Sequence, residues 1–350
     1  MDFLFTPEQD DAAALAAQIL TDRTGTERLK QVEAGGDRFD RALWAELDSA
    51  GLLSLHLPES DGGAGLGLIE LARVLVEVGR RVAPLPFAVH GAATALLAER
   101  GRAVDTSLLY TAAVAEPHAH LPTEPTVTAD ADGALTGTKT LVRAGMAADV
   151  LLVTATGPEG AGVYLVEPDA AEGVRREAQR TSDGDAAALI SLEATPATRI
   201  GGPETATLLG QLLITLAAAE QLGVTEGALH LTAGYAKTRE QFGRPIGTFQ
   251  AVSQRLADGF IDVLGQRLTL WQAVWRLAEG LPAATEVAVA KLWAADAGHR
   301  LAHTTVHVHG GVGIDLDGEA HRYFTSAKRF EFLFGGATEQ ALLIGRALAS

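Results

Sequence analysis

The chain contains no cysteine. That absence excludes a disulfide framework, thiolate catalysis and cysteine-ligated metal sites, and it predicts a reducing compartment, the cytoplasm. Lysine is scarce too: only five of the 28 basic residues are lysine, a bias we attribute to codon composition. Positive charge as a whole falls short. Against 44 acidic residues the formal charge is −16, which speaks against nucleic acid or an anionic membrane as partner, since both are bound through cationic surfaces. Any polyanionic ligand must therefore be held by local arginines. The opening stretch MDFLFTPEQDD has no basic region ahead of an apolar one and does not read as a signal peptide. The most apolar run, LLGQLLITLAAAEQLG, is broken by Gln211 and Glu220 and reads as a buried helix rather than a membrane span.

What is present is enough apolar material for a large core. A chain of 350 residues that is 47% hydrophobic predicts two or three structural units. Residues 1–106 read as helical: EQDDAAALAAQILTDRTG stops at Gly25, and LGLIELARVLVEVGR repeats apolar positions at three and four. Between them LHLPESDGGAG carries turn chemistry. Residues 107–202 change character. DVLLVTAT, GVYLVEP and AALISLEA are short β-rich runs, and ADGALTGTKTLV predicts a hairpin around Asp132 and Gly133. Residues 203–350 return to long helices, with Phe249, Val252, Leu256, Phe260 and Val263 on one face. Pro282 fits the start of the helix carrying KLWAADAGHRLAHTTVHVHGG, where a missing N–H costs nothing. The expected fold class is α+β: an N-terminal helical domain, a middle β-barrel or sandwich domain and a C-terminal four-helix bundle.

The specific signal is YAKTREQFGRPIGTFQAV at 235–252. It resembles the acyl-CoA dehydrogenase family, and further resemblance is spread along nearly the whole chain: MDFLFTPEQ, LHLPESDGGAGLGLIELARVLVEVGR, VAEP, LTGTKTLVRAGMAADVLLVTA and HVHGGVGI. The resemblance implies the acyl-CoA dehydrogenase fold and a tetramer binding FAD, in which a carboxylate takes a proton from Cα of an acyl thioester while the Cβ hydride passes to the flavin. Such chemistry needs a base beside a polarised carbonyl in a dry site. It also implies roles for Arg239 and Phe242, which in the family reach FAD bound mainly by a neighbouring subunit. A guanidinium suits a pyrophosphate, and a phenyl ring offers a flat apolar face. The Gly310-Gly311 turn is similar to one that touches the neighbour's FAD together with a glutamine three residues earlier. Here that residue is His307. His303 and His307 stand four apart beside His309, but no third-ligand motif accompanies them, and no metal is expected.

The chain departs from the family where a subunit holds its own flavin. The resemblance implies a threonine before Glu-Pro, a small-residue loop after it and a Trp-x-Thr after the lysine; the chain reads Ala115, HAHLP at 118–122, and Leu141 and Arg143 after Lys139. Aligned without gaps, AKRFEFLFGGATEQALLIGR puts Phe334, followed by Gly335, at the position of the catalytic Glu-Gly. Glu331 and Glu339 lie three before and five after it, neither at a spacing that reaches the same point. An earlier helix carries the base in some members, at a position near Leu213, which leaves Glu220 as a candidate base or as a structural carboxylate at a helix contact. The family's Arg-Asp before Ala-Lys is replaced by Thr325 and Ser326. Elements lent across an interface thus survive better than elements a subunit keeps for itself. Three readings follow: a subunit of a heteromeric FAD-dependent acyl-CoA dehydrogenase, as the resemblance implies for bulky acyl-CoA substrates such as those with steroid rings; a homomeric dimer or tetramer with a displaced base; or a non-redox scaffold. The acceptor implied is an electron-transferring flavoprotein.

Overall fold

The structure, a computed structural model, describes residues 4–349; the first three residues of MDFLFTPEQ lie outside the described residues. The helices are α1 (Pro7–Arg23), α2 (Thr26–Ala34), α3 (Arg41–Ser49), α4 (Leu68–Arg80), α5 (Phe87–Glu99), α6 (Pro203–Thr238), α7 (Gln250–Ala278), α8 (Ala284–His309), α9 (Ala320–Phe332) and α10 (Ala337–Ala349). The strands are β1 (Tyr110–Ala113), β2 (Thr128–Ala129), β3 (Leu135–Arg143), β4 (Val150–Gly157), β5 (Gly160–Val166), β6 (Val174–Arg180), β7 (Ala186–Thr195), β8 (Thr198–Gly201), β9 (Glu240–Gln241) and β10 (Arg244–Pro245). Two compact units result. One takes the chain up to Gln31, Ala72–Ala83 and everything from Ala217; the other takes Val32–Leu71 and Pro84–Leu216.

The second unit is built on one mixed eight-stranded sheet in the order β6-β7-β3-β2-β4-β5-β8, with β1 parallel to β4. The hairpin marked by Asp132 and Gly133 forms between β2 and β3, with Thr128 opposite Thr136. Asp130 shapes its turn by accepting the Ala134 N–H at 2.8 Å, the local bonding that favours aspartate in turns. Strand β3 slips register between Lys139 and Val142, a bulge that re-aims the side chains after it. The core of the sheet includes Val127, Leu135, Val142, Leu151, Val153, Ile190 and Leu192. Lys139 is wholly buried: its Nζ donates to Glu116 Oε1 at 2.7 Å, Thr154 Oγ1 at 3.0 Å and the Val114 carbonyl at 3.2 Å. Burial pushes the Glu116 carboxyl up, but bonds from Lys139, Thr126 and Val127 outweigh it and hold the group below its ordinary value.

In the first unit α8 packs against α7, α9 and α10. Alanines at 288, 290, 294, 295, 297 and 302 are buried along α8, and small side chains let neighbouring helices approach closely. Helices α4 and α6 cross backbone to backbone. A Cβ on Gly79 would stand 1.8 Å from the Glu220 carbonyl oxygen, and one on Gly223 would stand 1.9 Å from that of Val76. Helix α6 contains an 18-residue stretch apolar enough by composition to cross a membrane, yet 83% of that stretch is buried within the protein. It is a core helix, as the interrupting Gln211 and Glu220 suggest.

Candidate functional site: one end of the helical bundle

Helix α6 gives way at Thr238 to the REQFG segment. The Arg239 N–H donates to the Tyr235 carbonyl, and Ile246 N donates back to the Arg239 carbonyl, both at 2.8 Å. The chain thereby folds into the short β9-β10 hairpin with Phe242 and Gly243 at its tip. Phe242 adopts φ 53° and is 92% exposed. A phenylalanine with positive φ is strained, and an exposed aromatic of that size gains nothing in the isolated chain. Its ring meets the edge of the Phe249 ring at 6.1 Å, and the Arg244 guanidinium lies over Phe249 at 4.3 Å. Arg239 is exposed.

A second turn is tied to this one. The rings of Tyr235 and His309 stack at 4.3 Å, and His309 Nδ1 donates to the Thr305 carbonyl at 2.8 Å. The stack joins the C-terminal ends of α6 and α8. At the end of α8 the chain turns through Gly310, at φ 64°, and Gly311, and a Cβ at either would meet nothing within 4 Å. His307, one turn earlier, is exposed. The fold therefore gathers Arg239, Phe242, His307, Gly310 and Gly311 at one end of the bundle: a permanent cation, a bare aromatic face and open backbone. That donor set fits a dinucleotide's pyrophosphate and an adjoining ring. The neighbouring histidines serve other contacts. His303 rests 4.6 Å from the His299 ring and 5.4 Å from Phe324, while His309 is held by Tyr235 and Thr305. Among the described residues no group of three or more His, Cys, Asp or Glu could hold a metal ion.

The segment in which the family resemblance implies a base carries a phenylalanine at the implied position. Phe334 sits just past α9 at φ 59°, 7% exposed, with Gly335 at φ 104° behind it. Glu331 is bound by Lys328 and by His299 Nδ1 at 3.1 Å. Burial pushes its carboxyl up, but those bonds and charges win and hold it below the ordinary range, the wrong direction for a base that must hold a proton near neutrality. Glu339 Oε2 accepts the Gly336 N–H at 2.9 Å and closes the start of α10. Ser326 is 1% exposed, and Thr325 Oγ1 donates to the His321 carbonyl at 3.0 Å. Glu220 is 3% exposed where α6 meets α4, and Leu213 is 1% exposed on the earlier part of α6.

The sheet offers the opposite picture. Leu141 lies in the β3 bulge at φ 50°, and its N–H donates to Gln179 Oε1 at 2.8 Å. The Ala115 carbonyl accepts the Thr140 N–H at 2.9 Å. Arg143 is 5% exposed; its Nε lies 2.6 Å from Asp185 Oδ2 and its guanidinium donates to the Leu85 carbonyl at 2.8 Å. In the loop at 118–122, His118 takes φ 68° and Leu121 packs against Gly210. At the positions where the family resemblance implies flavin contacts, Ala115, Leu141 and Arg143 are engaged by this chain's own residues, a set that does not fit a flavin. Sequence reasoning missed Tyr235, Gln179, Asp183 and Asp185. Tyr235 stands one helical turn before Arg239, and the Asp-Gly-Asp run between two strands is a visible charged turn.

An α6–α10 bundle that presents the REQFG hairpin beside a Gly-Gly turn, with a mixed sheet before it in the chain, belongs to the acyl-CoA dehydrogenase family. The profile described as "Acyl-CoA dehydrogenase, N-terminal domain" matches residues 6–103, and "Acyl-CoA dehydrogenase, C-terminal domain" matches 215–349. The chain is 44% identical over 371 residues to acyl-CoA dehydrogenase FadE27 of Mycobacterium tuberculosis (strain ATCC 25618 / H37Rv), covering all of this chain and 99% of the relative. The ChsE4-ChsE5 complex from Mycobacterium tuberculosis contains a chain superposing with TM-score 0.94 at 44% identity, over 100% and 99% of the two chains. A Tcur3481-Tcur3483 steroid ACAD variant gives TM-score 0.94 at 42% identity over 98% of each. The protein is an FAD-dependent acyl-CoA dehydrogenase.

Proposed function

We propose that this chain is the non-base-bearing subunit of a heteromeric acyl-CoA dehydrogenase. The observation that carries the reading is an asymmetry of residues. Arg239, Phe242, His307, Gly310 and Gly311 stand exposed at one end of the bundle, whereas Leu141, Arg143 and Phe334 occupy the positions of relatives' flavin contacts and base. The names of two similar structures, a ChsE4-ChsE5 complex and a Tcur3481-Tcur3483 steroid ACAD, support a mixed assembly and a bulky, steroid-type acyl-CoA.

FAD, when bound, supplies the hydride acceptor. This chain's part is to complete the cofactor site on a partner of its own family. Arg239 neutralises pyrophosphate charge, Phe242 covers an apolar face, and the Gly310-Gly311 turn with His307 brings backbone and imidazole close to the cofactor. The partner supplies the carboxylate base. An electron-transferring flavoprotein is the proposed acceptor, the cytoplasm the proposed compartment, and residues 1–106, 107–202 and 203–350 the proposed domains.

Visible spectra of the chain purified alone and after co-expression with an acyl-CoA dehydrogenase-like partner test the reading. Flavin absorbance appearing only in the mixed assembly is the expected result. Absorbance in the lone chain would favour a homomeric enzyme using Glu220. Arg239→Ala in the assembly is expected to weaken FAD retention by roughly 10- to 100-fold, the worth of a lost charge-assisted bond; unchanged occupancy would remove that residue from the site.

A further inference from the structure

Two buried ion pairs converge on the turn between β6 and β7. Asp183, with a fully buried side chain, accepts Arg38 Nη1 at 3.1 Å, and Asp185 pairs with Arg143 at 2.6 Å. Arg38 comes from the loop before α3 and Arg143 from the end of β3, so one Asp-Gly-Asp turn holds two segments distant in sequence. Gly184 takes φ 78° between the two aspartates and lets them turn toward separate arginines. The turn braces itself: Asp183 Oδ1 accepts the Thr181 hydroxyl at 2.6 Å and the Asp185 N–H at 3.2 Å. On the same side Gln179 holds the bulged Leu141 N–H at 2.8 Å. A cleft of about 100 Å³ beside the pairs is lined by Phe39, Pro86, Met146 and Ala186, among others.

We infer that this turn is an internal latch that takes the place of a flavin on the sheet, so that this unit closes on its own side chains and does not take up FAD. The inference rests on the proposed shared site for where the cofactor goes, on the family resemblance for where a flavin would lie along β3, and on the geometry of the ion pairs for what stands there instead. Each partner in the latch is buried, so its charge must be matched inside the fold. Removing one member leaves the other uncompensated, which costs more than removing both.

The test uses the full chain. Saturating FAD is expected to move its melting temperature by less than about 1 °C, whereas a ligand at a hundred times its dissociation constant would give a readily visible rise. Asp185→Asn is expected to lower the melting temperature by roughly 5–10 °C, and Arg143→Met with Asp185→Leu to recover more than half of that loss. In the co-expressed assembly Asp185→Asn is expected to leave flavin content as in the wild type. A flavin-induced rise for the lone chain, an Asp185→Asn melt equal to wild type, or flavin lost from the assembly on that substitution would each overturn the latch. Arg239→Ala separates the two ideas. If it leaves flavin in place while the latch results hold, the shared-site reading fails and the latch stands.

Discussion

Lys291 shows how much one side chain can be made to carry. It lies 1% exposed inside α8, and its Nζ donates to the carbonyls of Phe330 and Glu331 at 2.7 and 3.2 Å. These are among the last carbonyls of α9, groups that need a donor from outside the helix. Burial pulls the ammonium down to about 7, although the carboxylates of Glu331 and Glu339 favour the charged form. Lys328 and His299 also face this joint through Glu331. In the unfolded chain the amine holds its proton up to 10.5. Between those values the unfolded state binds a proton that the folded state has released, so Lys291 makes stability rise with pH through the window and imposes its penalty below it. A neutral amine still donates to both carbonyls. The melting-temperature difference between wild type and Lys291→Met is therefore expected to widen in favour of wild type from pH 7 to pH 9. A difference independent of pH would mean that Lys291 titrates as an ordinary lysine.

Among the elements, α6 is the one whose sequence can be tested against itself. At Gly223 it touches α4 so closely that a methyl group would fall 1.9 Å from the Val76 carbonyl oxygen and 2.5 Å from Arg80 N, while Gly234 on the same helix has nothing within 4 Å. Gly223→Ala must push two backbones apart and is expected to cost about 3 kcal/mol or to prevent folding, more than ordinary overpacking. Gly234→Ala is expected to stabilise by about 0.5–1 kcal/mol, since only helix propensity changes. Urea titrations of the two variants decide it, and equal effects would refute the crossing. Neither glycine announces its role in the sequence, because close approach depends on what the partner helix presents. Other features were legible. Apolar spacing marks the helices, Asp132-Gly133 marks the hairpin, and the REQFG block brings the family with it. The placing of Phe334 at the position where the family resemblance implies a glutamate rests on the ungapped reading of its segment and belongs to the proposal. The ion pairs of Arg143 and Arg38 could not be read, since a charge in sequence carries no sign of the opposite charge that folding will set beside it. From the N-cap residue Phe249 into α7, the spacing of Val252, Leu256, Phe260 and Val263 marks one face of the helix, but of these only Val263 is buried, at 4%, and Phe260 stays 56% exposed. Periodicity says which residues share a face and not whether this chain or another covers it.

That exposed face bears on the molecule as a whole. Phe260, Ile261, Leu264 and Leu268 are 56%, 61%, 38% and 71% exposed, and their spacing sets them along one stripe of α7. A chain with a formal charge of −16 is kept apart from its own copies by repulsion, yet it leaves large apolar side chains in water, the mark of a surface meant to be covered. The proposed mixed assembly supplies the cover. The lone chain is accordingly expected to bind an apolar fluorescent dye and to lose that binding on co-expression with its partner. Leu268→Lys isolates the role of the stripe. At an exposed helix position it should change the stability of the lone chain by no more than about 0.5 kcal/mol, whereas a lysine buried against an apolar partner surface should weaken assembly by at least about tenfold. Native mass spectrometry of the co-expressed chains reads the second effect and a melting curve the first. Intact assembly with Leu268→Lys would show that the partner docks elsewhere, and the end bearing Arg239 and Phe242 would then have to reach the partner's cofactor without help from α7.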